Sequence, residues 1–238
     1  MKIIAHRGYS GKYPENTMLA FEKAIEYGAD GIELDIQLTS DGEIVVINDE
    51  TIDRTSAGSG WVKDYTYAQL CEYNFATNFP QYGFQKIPSL QEVLRLLKPT
   101  NLILNIELKT GIVFYDMEER IAAMVTEYDM EQRVIFSSFN HSSILKLKNL
   151  TDCELAFLYE DGILDIVGYA KKYGISSLHP ALYNLQYPNV IKDCHENGIL
   201  LRPWTVNNPT HMRMCKQAEV EAIITNCVET AVGFEETK

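Results

Sequence analysis

Eight short apolar, β-branched runs alternate with amphipathic stretches along the whole chain, and this alternation predicts an α/β fold, a (β/α)8 barrel. The runs are IIAH (3–6), GIELDIQ (31–37), LILNIEL (102–108), VIFSS (134–138), ELAFLY (154–159), ISSL (175–178), ILLRPWTV (199–206) and AIIT (222–225). Helical patterns fall between them at 17–27, 89–97, 115–128, 140–150, 163–173, 188–197 and 209–217. Strands separated by helices of this length pair in parallel, and eight such units in 238 residues suit a closed barrel better than an open sheet. A doubly wound sheet is the alternative, but neither GxGxxG nor GxxxxGK[ST] follows an early strand.

Local signals support the elements in turn. Leu19, Phe21, Ala24 and Ile25 lie on or near one face of the first helix, which Gly28 stops. Glu15, Asn16 and Thr17 precede that helix and fit a site role as well as a helix cap, with Asn16 or Thr17 the expected cap. Ser89 and Glu92, after Pro88, have the spacing of a capping box. Residues 38–88 form one long connection, read as an insertion on the second barrel strand within a single domain spanning 1–238. Asp41-Gly42 signals a hairpin returning as a strand over 43–48. A two-residue loop there would set Ser40 opposite Glu43, Asp35 opposite Asn48 and Glu33 opposite Glu50. The aromatic residues of 65–84 are expected to give the insertion its own small core, with Trp61 also packed.

Composition narrows the function. Hydrophobic residues make up 46% of the chain and charged residues 23%, as in a globular protein. A net charge of −12 disfavours nucleic acid as a partner, since tracking a phosphate backbone needs a basic surface. A small phosphate ester stays compatible, because one metal ion and a few cations reverse the sign inside a pocket. The five cysteines are scattered without CxxC spacing and read as packing residues in a reducing compartment. The N-terminus MKIIAHRGYS is too polar for a signal peptide, and no apolar run approaches the roughly 20 residues of a membrane span. A cytoplasmic protein without stable membrane insertion is expected.

Active sites of such barrels lie at the C-terminal strand ends. The first strand ends in His6-Arg7-Gly8, the second carries Glu33 and Asp35, the third Glu107 and Lys109, and the seventh Arg202, Trp204 and Asn207. Residues two apart on a strand share a side, so Glu33 with Asp35, and Glu107 with Lys109, face the same way. Three converging carboxylates suit a hard divalent cation, Mg²⁺ or Ca²⁺, rather than zinc. A buried ion-pair network of these acids with Arg7 and Lys109 is the alternative.

The segment IIAHRGYSGKYPENTMLAFEKAIEYGADGIELDIQLTSDGEIVVINDETIDRTSAGSG resembles the N-terminal signature of the glycerophosphodiester phosphodiesterases. The likeness continues through IPSLQEVL, LNIELK, VIFSSFN and RPWTVN to AIITN, covering essentially the whole chain. It implies a (β/α)8 TIM barrel with a small insertion after barrel strand 2. It also implies divalent-cation-dependent hydrolysis of a small glycerophosphodiester to glycerol 3-phosphate and an alcohol. Carried over by position, Glu33, Asp35 and Glu107 match the metal ligands and His6 one catalytic histidine. Arg7 matches the phosphate-binding arginine, Lys109 a second cation and Trp204 an aromatic bordering the glycerol pocket.

The chain departs from the pattern at one place: Asn48-Asp49 stands where the family reads His-Asp, between matching VVI and ETIDRT. An amide cannot exchange a proton at neutral pH, and losing general acid–base help removes on the order of 10²–10⁴ in rate. Three readings follow. Asn48 is an engineered change that traps substrate, or a natural residue of a chain that binds or turns over slowly. Otherwise a further residue, such as His141 or His179, replaces the missing proton carrier. A catalytically inactive glycerophosphodiester-binding protein is the corresponding alternative function.

Overall fold

The computed structural model describes residues 1–113 and 115–236. Its nine strands are β1 (Lys2–His6), β2 (Gly31–Leu38), β3 (Ile44–Val46), β4 (Ile103–Leu108), β5 (Val134–Ser138), β6 (Glu154–Tyr159), β7 (Ser177–Pro180), β8 (Leu200–Leu201) and β9 (Ala222–Thr225). They run in the order β8-β7-β6-β5-β4-β2-β1-β9, all parallel, with β3 pairing antiparallel to β2 off this path. Backbone hydrogen bonds from Glu221 N to Leu201 O (3.0 Å), Ile224 N to Pro203 O (3.0 Å) and Val206 N to Ile224 O (2.9 Å) bring the two ends together. The result is a TIM barrel. The strand expected over 199–206 contracts to Leu200–Leu201 because Pro203 has no N–H to donate. The strand expected at 175–178 lies at Ser177–Pro180.

The helices are α1 (Met18–Glu26), α2 (Tyr67–Leu70), α3 (Leu90–Leu97), α4 (Glu118–Glu127), α5 (His141–Leu147), α6 (Ile166–Tyr173), α7 (Val190–Glu196), α8 (Pro209–Gln217) and α9 (Val228–Glu236). The helical pattern over 228–236 was not foreseen from sequence. Thr17 caps α1, accepting from Ala20 N at 3.2 Å. The Ser89–Glu92 capping box forms as expected at the start of α3. Outward-facing Leu34, Ile106, Phe136 and Phe157 pack under the helices with Phe21, Leu94 and Ile121 to form the main core. No helix among the described residues is long and apolar enough to cross a membrane.

The insertion corrects the hairpin register. Ile36 pairs with Val46, Gln37 with Val45 and Leu38 with Ile44. Asp35 O then accepts from Ile47 N at 2.9 Å, so Asp35 faces Ile47 and not Asn48. The cause is Thr39, whose N–H bonds Glu43 O at 3.0 Å and whose hydroxyl accepts from Glu43 N at 2.8 Å, so the loop runs from Thr39 to Glu43. Val45 of β3 and, beyond it, Ile47, Ile52, Val62, Leu70, Phe75 and Ile87 form a second small core, with Tyr65, Tyr67 and Tyr73 packed against it. Tyr82 joins the main core instead, and Phe84 is exposed. Trp61, expected to be packed, is 41% exposed.

Candidate active site

The parallel register sets the site's floor. His6 pairs with Glu33, Glu33 with Asn105, Asp35 with Glu107 and Glu107 with Ser137, so inward side chains of four adjacent strands stack at the C-terminal end. A small cavity of about 60 Å³ there is lined by His6, Arg7, Glu33, Asn48, Glu107, Lys109 and Trp204, among others. Asp35 lies just beneath, fully buried, and one carboxylate oxygen from each of Glu33, Asp35 and Glu107 falls within 4.8 Å of the others. His6, Arg7, Glu33, Asp35, Asn48, Glu107, Lys109 and Trp204, eight of the residues singled out from sequence, therefore meet at one place. Asn48 arrives without the expected pairing, because the chain leaves the ladder after Ile47.

The turn after β1 points Arg7 inward. Arg7 has φ +56 and Gly8 φ +74, and a Cβ at Gly8 would sit 2.7 Å from the Ala20 carbonyl carbon. Only glycine fits there without displacing α1. Arg7 N donates to Glu33 Oε2 at 2.9 Å, while its side chain lies 3.3 Å from Asp35 Oδ2 and 2.8 Å from Glu15 Oε1. Lys109 Nζ donates to Glu107 Oε1 at 2.9 Å.

Charge does not balance within this cluster. Three carboxylates face two cations, and Arg7 is shared with Glu15. Burial, together with Asp35 and Glu107, pushes the Glu33 carboxyl well above its ordinary range. Burial and Asp35 raise Glu107 to about 7 despite Lys109. Asp35 is held low: burial opposes its charge, but Arg7 and Lys109 outweigh it. Asp35 Oδ1 is also buried with no hydrogen-bond partner. A closed ion-pair network leaves this oxygen unpartnered and holds Glu33 and Glu107 toward their protonated forms, whereas a hard divalent cation would partner all three carboxylates.

His6, next to Arg7 at the end of β1, also lines the pocket. Its Nδ1 is 2.6 Å from Asn226 Oδ1 and its Nε2 is 4.0 Å from Glu33 Oε2. With Asn226 presenting its oxygen, Nδ1 carries the proton and the Nε2 lone pair faces the pocket. Burial and the neighbouring Arg7 lower its pKa to about 4, so the ring is neutral at pH 7. Asn48 Nδ2 donates to Asp49 Oδ1 at 2.7 Å, and Arg54 holds Asp49 at 2.7 and 2.9 Å. Trp204 meets Phe139 edge to face at 5.7 Å on the opposite wall.

Other sequence candidates fall elsewhere. Arg202 pairs with Glu154 at the start of β6 and donates to Ser177 Oγ at 2.6 Å, toward the far end of the barrel. Asn207 Oδ1 accepts from Asn226 N at 2.8 Å and serves the closing turn. His141 stacks on Phe157 at 4.1 Å and bonds Leu158 O at 3.0 Å. His179 is fully buried in β7. Neither lines the pocket, so neither replaces a proton carrier at position 48. Glu15 and Asn16, which fit a site role as well as a helix cap from sequence, support Arg7 and Asp35, whereas Arg54 and Asn226 were missed. Asn16, at φ +54, donates to Asp35 Oδ2 at 2.9 Å.

A barrel with acidic and basic side chains converging at the C-terminal end of its strands has the build of an enzyme site, and comparison with known proteins gives its class. Residues 6–230 match the model of the glycerophosphoryl diester phosphodiesterase family. The chain is 42% identical over 235 residues to a glycerophosphodiester phosphodiesterase of Caldanaerobacter subterraneus, covering 98% of this chain and 96% of that one. The crystal structure of the glycerophosphodiester phosphodiesterase of Thermotoga maritima is 30% identical, with a TM-score of 0.79 and 98% of each chain covered. An Oleispira antarctica phosphodiesterase, solved with its product sn-glycerol-3-phosphate, shares the fold at 23% identity, with a TM-score of 0.88, 100% of this chain and 97% of that one covered. This chain belongs to the glycerophosphoryl diester phosphodiesterase family and is a phosphoric diester hydrolase.

Proposed function

We propose that the chain hydrolyses small glycerophosphodiesters to glycerol 3-phosphate and an alcohol, in a reaction that depends on a divalent cation and that Asn48 slows. The observation that carries this reading is the convergence of Glu33, Asp35 and Glu107 with Arg7 and His6 in one pocket. The product held by the Oleispira antarctica phosphodiesterase supports the glycerol 3-phosphate half.

Glu33, Asp35 and Glu107 would hold Mg²⁺ or Ca²⁺, which when bound supplies positive charge to a phosphate oxygen. Arg7 binds the phosphate through its guanidinium, and Lys109 offsets further negative charge. Neutral His6 accepts or returns a proton at Nε2, with Asn226 fixing its orientation at Nδ1. An attacking hydroxyl, of water or of the glycerol 2-position, bonds to phosphorus and gives up its proton as the P–O bond to the departing alcohol breaks. The departing alkoxide takes up a proton, and position 48, which lines the pocket, is the expected second proton carrier. The Asn48 amide instead bonds Asp49. Turnover falls by about 10²–10⁴ for want of that proton transfer. The same observation favours, as a second reading, a protein that binds glycerophosphodiesters and releases them unchanged.

The test is release of glycerol 3-phosphate from glycerophosphocholine, -ethanolamine and -inositol, with Mg²⁺ or Ca²⁺ and with a chelator. Slow release that stops on chelation, and in Glu107→Gln, is expected. Metal-independent release would overturn the proposal.

A further inference from the structure

A second cavity lies behind β6, on the other side of the barrel wall. Side chains alternate along a strand: Leu158 lines the reaction pocket, whereas the next residue, Tyr159, lines a separate cavity of about 350 Å³ against α6 and α7. That volume falls in the roughly 300–1,000 Å³ range of small-ligand sites. Its walls are largely apolar, from Leu164 and Val167 to Val190, and Tyr187 Oη closes over Gly162, where a Cβ would stand 2.9 Å away.

Two buried polar atoms among these walls have no partner. Tyr159 is 4% exposed and Asn184 1% exposed, yet Tyr159 Oη and Asn184 Oδ1 bond nothing. The Asn184 amide orientation is fixed, since its Nδ2 donates to Glu160 O at 2.7 Å. Its oxygen is therefore an acceptor waiting for a donor. Leaving such a buried group unpaired is unfavourable, and a ligand that pairs it relieves that cost. The lining also contains two carboxylates, Asp165 and Asp193, and no lysine, arginine or histidine. An anion is disfavoured there. Leu164, 95% exposed, leaves apolar surface at the rim.

We propose that this cavity binds a small amphiphilic cation, an alkylammonium whose N–H groups donate to Asn184 Oδ1 and Tyr159 Oη while its chain lies along Val167 and Leu164. The carboxylates of Asp165 and Asp193 offset the charge that the site desolvates. The site is independent of the phosphodiesterase reading, because it shares no residue with the catalytic pocket.

Titration calorimetry of the full chain with n-octylammonium, n-octanol and n-octanoate, below their aggregation limits, tests this. One molecule of octylammonium should bind per chain, octanol more weakly and octanoate not at all. Tyr159→Phe and Asn184→Leu should each weaken octylammonium roughly five-fold, the size of one lost hydrogen bond. Val167→Phe, which fills the cavity, should abolish binding while leaving the circular dichroism spectrum and glycerol 3-phosphate release unchanged. Octanoate binding as tightly as octylammonium, affinity unchanged in Tyr159→Phe, or no octylammonium binding at all would each overturn the proposal.

Discussion

Arg54 of the insertion grips Glu15 of the β1–α1 connection through both terminal nitrogens, at 2.8 and 2.7 Å. Through Asp49 on one side, and through Glu15 on the other, this guanidinium links position 48 to Arg7 across the pocket's rim. The insertion is thereby part of the site and not an appendage to it. Arg54→Lys keeps the charge but loses the planar fork. Because Arg54 is partly exposed, stability should change by less than about 1 kcal/mol. The KM for glycerophosphocholine should rise roughly three- to ten-fold, as loss of about 1 kcal/mol of positioning predicts. A lower melting temperature with unchanged KM would show that the clamp only holds the insertion down.

The carboxylate cluster makes stability depend on pH in a defined direction. Glu33 and Glu107 have raised folded-state pKa values, Glu107 at about 7, so the metal-free fold favours their protonated forms. Their contribution is fully present below about pH 4, the unfolded range of carboxylates, and is lost as pH rises through about 7. The buried neutral histidines His6 and His179 oppose this trend, so the carboxyl contribution is read against Glu107→Gln, which shares them: between pH 5.5 and pH 8 the metal-free parent should lose more melting temperature than the variant. Added Mg²⁺ or Ca²⁺ should raise the melting temperature more at pH 8, since binding displaces protons. Equal stabilisation at both pH values would speak against these three residues as the ligands.

Asn16 combines two constraints that substitutions can separate. Its backbone is left-handed, at φ +54, and its amide supports the buried Asp35 carboxylate. Asn16→Gly should lose only the hydrogen bond to a charged group, about 1.5–3 kcal/mol. Asn16→Ala should add the left-handed penalty of about 1–2 kcal/mol. Urea denaturation of the two metal-free variants measures the difference. Equal losses would mean that the loop relaxes and that φ is not constraining.

Thr17→Ala serves as the structural contrast. It removes the α1 cap and should cost about 1 kcal/mol. Thermal melting and steady-state kinetics should show lower stability with KM and kcat unaltered. A changed kcat would place Thr17 in the site rather than beneath it.

What was legible in the sequence follows from periodicity. Buried parallel strands are written as apolar runs, and acids within them, such as Glu33, Asp35 and Glu107, stand out because their burial must be offset. Residues placed by loops had no such signal. Asn16 and Thr17 are adjacent and equally good caps, yet a left-handed turn sends one to Asp35 and leaves the other to α1. Arg54 lies in the insertion, 39 positions from Glu15, where no period connects them. The hairpin register failed by one residue because Thr39, not the Asp41-Gly42 pair alone, sets the loop. The resemblance, rather than the register, placed Asn48 at the pocket.

The central claim is that position 48 belongs to a proton-transfer role that asparagine leaves unfilled. Glycerol 3-phosphate release from glycerophosphocholine by the chain and by Asn48→His, each saturated with Mg²⁺ or Ca²⁺, tests it most directly. The account predicts kcat at least about 10²-fold higher in the histidine variant, with little change in KM. Equal and substantial kcat in both proteins would contradict it.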